Sequence, residues 1–395
     1  MKIFIFFATL SIFLNLPPYY ALFTSTKDYV FYFVLMFLIS LYYFLNSRKI
    51  ILNQKLLYWM IGYFIIICLY YINTGLGGEF EYKRFVSVIM IIITFFSFSL
   101  LYELDDNNLT VTRTAIIVSM LIAVVLLVYD FIFPGSFLLP YAKTDLSGRA
   151  VATYINQNIV GAVLILGLIL SIDLLPKKYR FLYIIYIFIG IALTFSRSNI
   201  IIYFIILFIM AFQKKISRLT LFIIYLSLSL FLVWLMFWGL DWLASVLDVD
   251  IPENLINRLS FFVDRQDADT SDLNERKMVL SAALNMFMEH PILGNGFAST
   301  ITWKYAVGPH NTFALTWAEF GLVGLLIIPL LLLSSTYDIF RTKQKKYYDI
   351  GILFIIYFSL SSMFSHNMLD QTFNYVGAVI VAILGSKNIG MSPIK

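Results

Sequence analysis

Glu289-His290-Pro291-Ile292-Leu293-Gly294-Asn295-Gly296-Phe297, followed shortly by Gly308-Pro309-His310-Asn311, closes a long polar interruption in an otherwise apolar chain. The interruption runs from about Asp241 to Asn311 and holds Arg258, Arg265 and Arg276 beside an acidic run. Directly after Asn311 the sequence turns apolar again. A histidine at the mouth of an apolar span, in a loop rich in arginine, is the strongest chemical signal in the chain. It points to a site beneath that loop at a membrane surface.

Outside the interruption the chain reads as membrane. Of 395 residues, 61% are hydrophobic and 13% charged, against about a quarter charged in a soluble domain. Apolar runs of about 20 residues recur from end to end, which reads as an all-α, polytopic membrane protein with no room for a sizeable soluble domain. The net charge of +5 follows membrane orientation and is no sign of nucleic-acid binding. The single cysteine, Cys68, excludes an intrachain disulfide. Lys2 before an apolar run to Leu16 resembles a signal peptide. It lacks a small-x-small cleavage site, so the reading is an uncleaved first span.

Candidate spans fall at about 3–22, 29–46, 56–73, 85–102, 114–133, 158–175, 181–196, 199–213, 219–239, 311–333, 350–368 and 372–386, about twelve in all. Lys2, Arg48, Lys49, Arg113, Lys177, Lys178, Arg180, Lys214, Lys215, Arg341 and Lys345 fall on one side of this arrangement, which is therefore cytoplasmic, with both termini. The other face carries loops at about 74–84 and 134–157, a short one around Ser365-His366-Asn367, and the large loop of about 240–310 between the ninth and tenth spans. That loop is periplasmic if the organism is Gram-negative. No internal repeat is visible, and the link after the sixth span is only Pro176-Lys177-Lys178-Tyr179-Arg180. This argues against a two-halved facilitator transporter.

Arginines on the outer face run against the orientation trend, so each needs a reason. Arg197, in Thr194-Phe195-Ser196-Arg197-Ser198, sits on a very short link at the membrane boundary. A guanidinium there can hold a phosphate bidentately or snorkel to headgroups. Arg149 has the same two readings. Asn156 and Asn158, at the start of the sixth span, are capping residues. An amphipathic helix is expected near 272–290, with Val279, Ala283, Met286 and Phe287 on one face. Arg276 lies in its first turn, where a cation is disfavoured and a specific anionic partner is expected. His310 is titratable near neutral pH and can serve as a general base; the alternative is a cap or interface anchor. Glu319, further along the same span, is an intramembrane acid that pairs with an arginine or lines a cavity. Asp264, Asp267, Asp269 and Asp272 lack the glycine and terminal glutamate of a calcium loop, and the three histidines have no zinc spacing, so no metal is expected. Together these residues ask for an anionic, lipid-anchored donor. Arginines would hold a diphosphate while a histidine takes the proton from an attacking hydroxyl.

The stretches 194–198, 289–297 and 310–324 together resemble the O-antigen ligase/polymerase superfamily of bacterial inner-membrane glycosyltransferases. The shared pattern is a proline turn with two glycines, then His-Asn, then Glu-x-Gly-x-x-Gly within a span. Arg149 with Asn156 and Asn158 looks like the family's Arg…Asn-x-Asn start of a span, with Gln157 where the family usually has proline. The resemblance implies a fold related to the GT-C glycosyltransferases. It implies an undecaprenyl-diphosphate-linked glycan donor handled on the periplasmic face, with neither nucleotide sugar nor metal and no cofactor. The acceptor is lipid A-core for a ligase, or a lipid-linked glycan for a repeat-unit polymerase. Carried over, His310 is the candidate base. Arg197 and Arg276 are candidate diphosphate ligands, with Arg149, Arg258, Arg265, Asn311 and Glu319 as further substrate contacts. The expectation leans to a ligase. A lipid-linked glycan flippase is the alternative without catalysis.

Overall fold

The structure is a computed structural model. It describes residues 1–24, 26–46, 53–74, 78–104, 106–133, 136–137, 150–154, 156–217, 222, 225, 270–305, 307–341 and 345–389. Helices dominate, and no strand occurs among these residues. The α-helices are α1 Lys2–Phe13, α2 Leu16–Ala21, α3 Thr26–Leu45, α4 Gln54–Asn73, α5 Glu79–Leu104, α6 Asp106–Ile132, α7 Gln157–Ser171, α8 Lys177–Leu193, α9 Arg197–Phe212, α10 Thr270–Glu289, α11 Thr312–Arg341, α12 Lys345–Phe364 and α13 Thr372–Ile389. Among the described residues six helices are long and apolar enough to cross a bilayer, and four shorter apolar helices accompany them. The expected ninth span (219–239) lies almost wholly outside the described residues, as do residues 240–269 of the large loop; its described part begins with α10.

Three expected boundaries move. The first span is interrupted at Asn15, which is left-handed (φ 54°), so it forms two helices. Its amide donates to the Thr153 carbonyl at 3.2 Å. The expected outer loop 74–84 is in part helix, because α5 begins at Glu79 with Glu79 and Glu81 in its first turn. Acids there suit the helix dipole. Arg84 therefore belongs to a helix. The expected start of the fifth span at 114 also moves, since α6 starts at Asp106.

The chain divides into two compact units. The first comprises Met1–Ile12, Phe23–Ala115 and Glu275–Lys395; the second comprises Phe13–Leu22 and Ile116–Asn274. In the second, α7 is buried all round from Val160 to Ser171, as expected for an apolar helix with no polar stripe. Asn156 caps it by accepting the Asn158 amide N–H at 2.8 Å. Buried Asp130 accepts the N–H groups of Val151 and Ala152, both at 2.8 Å, and fixes the chain ahead of α7.

In the first unit α11 packs along α13, α12 and α4, and α5 packs against α3 and α13. The defining feature is a break within α11. Gly321 has φ 58° and ψ −136°, which no helix accommodates. A broken helix leaves carbonyls before the break and N–H groups after it without partners. The turn Pro291–Gly296 supplies them. Asn295 N–H donates to the Ala318 carbonyl at 2.9 Å, Gly296 N–H to the Glu319 carbonyl at 3.0 Å, and Leu322 N–H to the Pro291 carbonyl at 2.8 Å. The Asn295 side chain adds a bond to Ala318 at 2.9 Å.

The two backbones approach so closely that only glycine fits. A Cβ on Gly294 (φ 72°) would lie 2.3 Å from the Glu319 oxygen, and one on Gly321 would lie 2.5 Å from the Ile292 oxygen. Gly324 faces the Thr316 carbonyl across the corner at 1.9 Å from where a Cβ would stand. Buried Ala283 of α10 packs on Ala314 and Ala318 and covers the first arm of α11.

Gly294→Ala and Gly321→Ala are each expected to cost on the order of 3 kcal/mol or more, because both overpack and strain the corner. Gly62→Ala, in α4 with nothing within 4 Å of the added methyl, is expected to leave stability unchanged or raise it by about 0.5–1 kcal/mol. Thermal unfolding of the three variants in detergent checks this contrast.

Candidate functional site

The corner of α11 delivers a carboxylate to the interior. Glu319 is fully buried. Its oxygens accept both contacts of Arg84 Nη1, at 2.6 and 2.7 Å. Thr300 Oγ1 donates to the same carboxylate at 2.6 Å. Arg84 Nε also stands 3.9 Å from Asp370, and the guanidinium lies over the Phe297 ring at 5.1 Å. Glu319 and Arg84 both lie on membrane-length helices. Charges at that depth persist only when paired and hydrogen-bonded, and here each has such partners.

The start of α11 presents the histidine. His310 is left-handed (φ 50°), an uncommon state for a residue with a side chain. Asn311 is the helix cap: its Oδ1 accepts the Ala314 N–H at 3.0 Å. Thr312 Oγ1 donates to the Ser365 carbonyl, which ties the start of α11 to the α12–α13 link. That link brings His366 against His310, with ring centroids 5.3 Å apart at 76°. Gly308 makes room for it, since a Cβ there would lie 2.9 Å from the His366 ring.

The link is itself pinned from inside the core. Tyr357 donates to Asn374 at 2.9 Å, Asn374 to the Met368 carbonyl at 2.8 Å, and Tyr375 to the Leu369 carbonyl at 2.9 Å. Burial, aided by the charges of His310 and Arg84, pushes His366 down to about 4. It is neutral at physiological pH.

The structure thus joins two of the residues singled out in the sequence to partners that sequence reading missed. Glu319 meets Arg84, and His310 meets His366. Asn311, expected as a substrate contact, caps α11. Arg276 is half-buried on α10. Arg197 belongs to the second unit as the first residue of α9. Beside it Ser196 donates to Asn158 at 2.8 Å, and Asn199 donates to the Asn158 carbonyl at 3.0 Å. Arg149, Arg258 and Arg265 lie outside the described residues. Among the described residues no three of His, Cys, Asp and Glu gather as a metal site would require.

Chemically, the first unit offers a half-buried imidazole at the mouth of α11. It is backed by a second, neutral imidazole and by a guanidinium already committed to carboxylates. Such an arrangement suits proton acceptance from a substrate hydroxyl.

Residues 181–328 match the family model described as O-antigen ligase, in support of the O-antigen ligase/polymerase superfamily. The matched stretch contains Arg197, the Pro291–Gly296 turn, His310 and the Glu319-to-Gly324 motif, while Arg84 and His366 lie outside it. No curated protein matches the chain.

Two outcomes follow from the geometry. Glu319→Gln leaves the Arg84 charge buried without its main counter-charge, and a loss of about 3–5 kcal/mol is expected. The double variant Arg84→Met/Glu319→Leu removes both charges and is expected to recover most of that loss in a thermal melt. For His366, whose protonation is depressed in the folded state, the unfolded chain binds the extra proton first. Stability contributed by the neutral ring is therefore complete above about pH 6.5 and declines as pH falls towards about 4. His366→Gln is expected to flatten that stretch of a melting-temperature profile against pH.

Proposed function

We propose that this chain, whose residues 181–328 match the O-antigen ligase family model, transfers a polysaccharide from undecaprenyl diphosphate to a sugar hydroxyl. The proposed setting is the periplasmic face of the bacterial inner membrane, with both termini cytoplasmic. The observation that carries the reading is His310, held by its capped helix and by His366 at the mouth of α11, inside the stretch that matches the family.

In the proposed reaction His310 takes the proton of the acceptor hydroxyl. The acceptor oxygen bonds to the anomeric carbon of the donor as that carbon's bond to the diphosphate breaks. The electron pair leaves with the diphosphate, whose growing charge needs cations rather than a covalent intermediate. Arg276 is the proposed diphosphate ligand in the first unit, and Arg197 is proposed separately as a phosphate contact of the second. Arg149, Arg258 and Arg265 are retained as candidates for the glycan or its diphosphate. The contacts of Glu319 and Asn311 favour structural roles for both: ion pair and helix cap. Arginine and histidine together supply charge stabilisation and proton transfer without asking for a metal.

The acceptor we propose is lipid A-core, which makes the protein an O-antigen ligase. A repeat-unit polymerase would use the same donor chemistry on a lipid-linked glycan. Purified protein in nanodiscs, given the lipid-diphosphate-linked glycan and each acceptor separately with EDTA present, distinguishes the two. Transfer to lipid A-core that falls about 10²–10⁴-fold in His310→Ala is the expected result. A ladder of lengthened lipid-linked glycan would replace ligase by polymerase. Binding of the donor with no transfer to either acceptor would overturn the enzymatic reading in favour of a flippase.

A further inference from the structure

A second site lies wholly within the second unit, at the end of α8 and α9 away from Arg197. The sixteen residues of α9 separate that end from Arg197 by roughly 24 Å. A cleft of about 450 Å³ opens there, lined by Lys177, Arg180, Lys214 and Lys215 with Phe181 and Phe212.

Arg180 builds the cleft. Its Nε donates to the Leu175 carbonyl at 3.0 Å, Nη1 to the Lys215 carbonyl at 3.3 Å and Nη2 to the Asp173 carbonyl at 3.4 Å. It thereby closes the α7–α8 link onto the chain leaving α9. These bonds use the guanidinium's donors while leaving its charge in place, because carbonyls are neutral. The link contributes one acid of its own, Asp173, against the four cations.

The chain leaving α9 is held in an unusual way. Lys215 N–H donates to the Met210 carbonyl at 2.9 Å and Lys214 N–H to the Ala211 carbonyl at 3.0 Å, the two bonds of a Schellman ending. The residue at its left-handed position is normally glycine, because a side chain is strained there. Here it is Lys214, at φ 58°. The strained residue is thus a lysine that lines the cleft. Such strain is kept where the structure gives something in return.

The walls narrow the ligand. Lys177, Arg180 and Lys214 in one concavity suit a phosphate, while the Lys215 ammonium is buried in the protein. Phe212 is 66% exposed on an apolar helix and offers a surface for hydrocarbon beside them. We propose that this cleft binds the phosphate headgroup of an anionic glycerophospholipid, with an acyl chain lying against Phe181 and Phe212. The inference does not depend on the glycosyltransferase reading.

The test uses the full-length protein delipidated in detergent, titrated with phosphatidylglycerol, phosphatidylcholine or inorganic phosphate, and read by native mass spectrometry and thermal shift. Phosphatidylglycerol is expected to bind and raise the melting temperature, with little effect from the other two at equal concentration. Lys214→Gly relieves the left-handed strain, so it should melt no lower than wild type without lipid. It should nevertheless bind phosphatidylglycerol roughly fivefold more weakly, the ratio that corresponds to about 1 kcal/mol per cation. Lys177→Ala should weaken binding by a similar factor. Undiminished phosphatidylglycerol binding in both variants would overturn the site. Equal stabilisation by phosphatidylcholine would overturn headgroup recognition, and equal stabilisation by phosphate would replace the lipid by a free anion.

Discussion

The ion pair between Arg84 and Glu319 is the constraint on which the first unit depends. Transferring either charge alone to the interior of a bilayer-spanning helix costs several kcal/mol or more. The pair therefore forms only if α5 and α11 are brought together at one depth. Thr300 completes the hydrogen bonding of the carboxylate, and Asp370 brings the α12–α13 link to the same guanidinium. One arginine thus gathers three segments that are far apart in sequence. The α12–α13 link and the start of α11 in turn set the position of His310.

The break in α11 serves the same end. An unbroken helix would have no free carbonyl at Ala318 or Glu319 for another segment to bind. With Gly321 out of helical geometry, the Pro291–Gly296 turn docks by backbone bonds alone, and the glycines are required because main chain packs on main chain. The motif of a two-glycine turn followed by Glu-x-Gly-x-x-Gly is in this light a scaffold whose pieces lock into one another. His310 is the residue between them to which the proposed reaction assigns the proton. His310 stands between a rigid corner and a pinned link, which suits a group that has to meet a reacting hydroxyl at a fixed distance.

Much of this was legible in the sequence. Apolar runs of membrane length announced an all-helical protein, and the family motifs were recognisable as a set. The periodicity of Val279, Ala283 and Met286 marked the buried face of α10. Of the two roles open to Glu319, pairing with an arginine is the one that the structure shows. Its partner was missed although the criterion that would have found it, an arginine on the outer face, was at hand. Arg84 sat at the edge of the expected loop 74–84, whereas Glu79 and Glu81 open the first turn of α5 and carry Arg84 into the helix. His366 was noted as part of a short outer loop and for lacking zinc spacing. Its contact with His310 joins segments 56 residues apart, and no local pattern carries that information. The capping role of Asn311 was hidden by its place beside His310. The left-handed lysine at the end of α9 has no signature in sequence at all, since only the backbone reveals it.

The docked turn can be tested most directly by amide hydrogen exchange. The N–H groups of Asn295 and Gly296 bond to carbonyls before the break, and that of Leu322 bonds back to the turn. If the corner is the scaffold of the first unit, these three amides exchange as slowly as the buried interior of α11, and Glu319→Gln accelerates all three together. Exchange at the rate of an open loop in the wild-type protein would contradict the account, because the broken helix would then lack the partner that makes it stable.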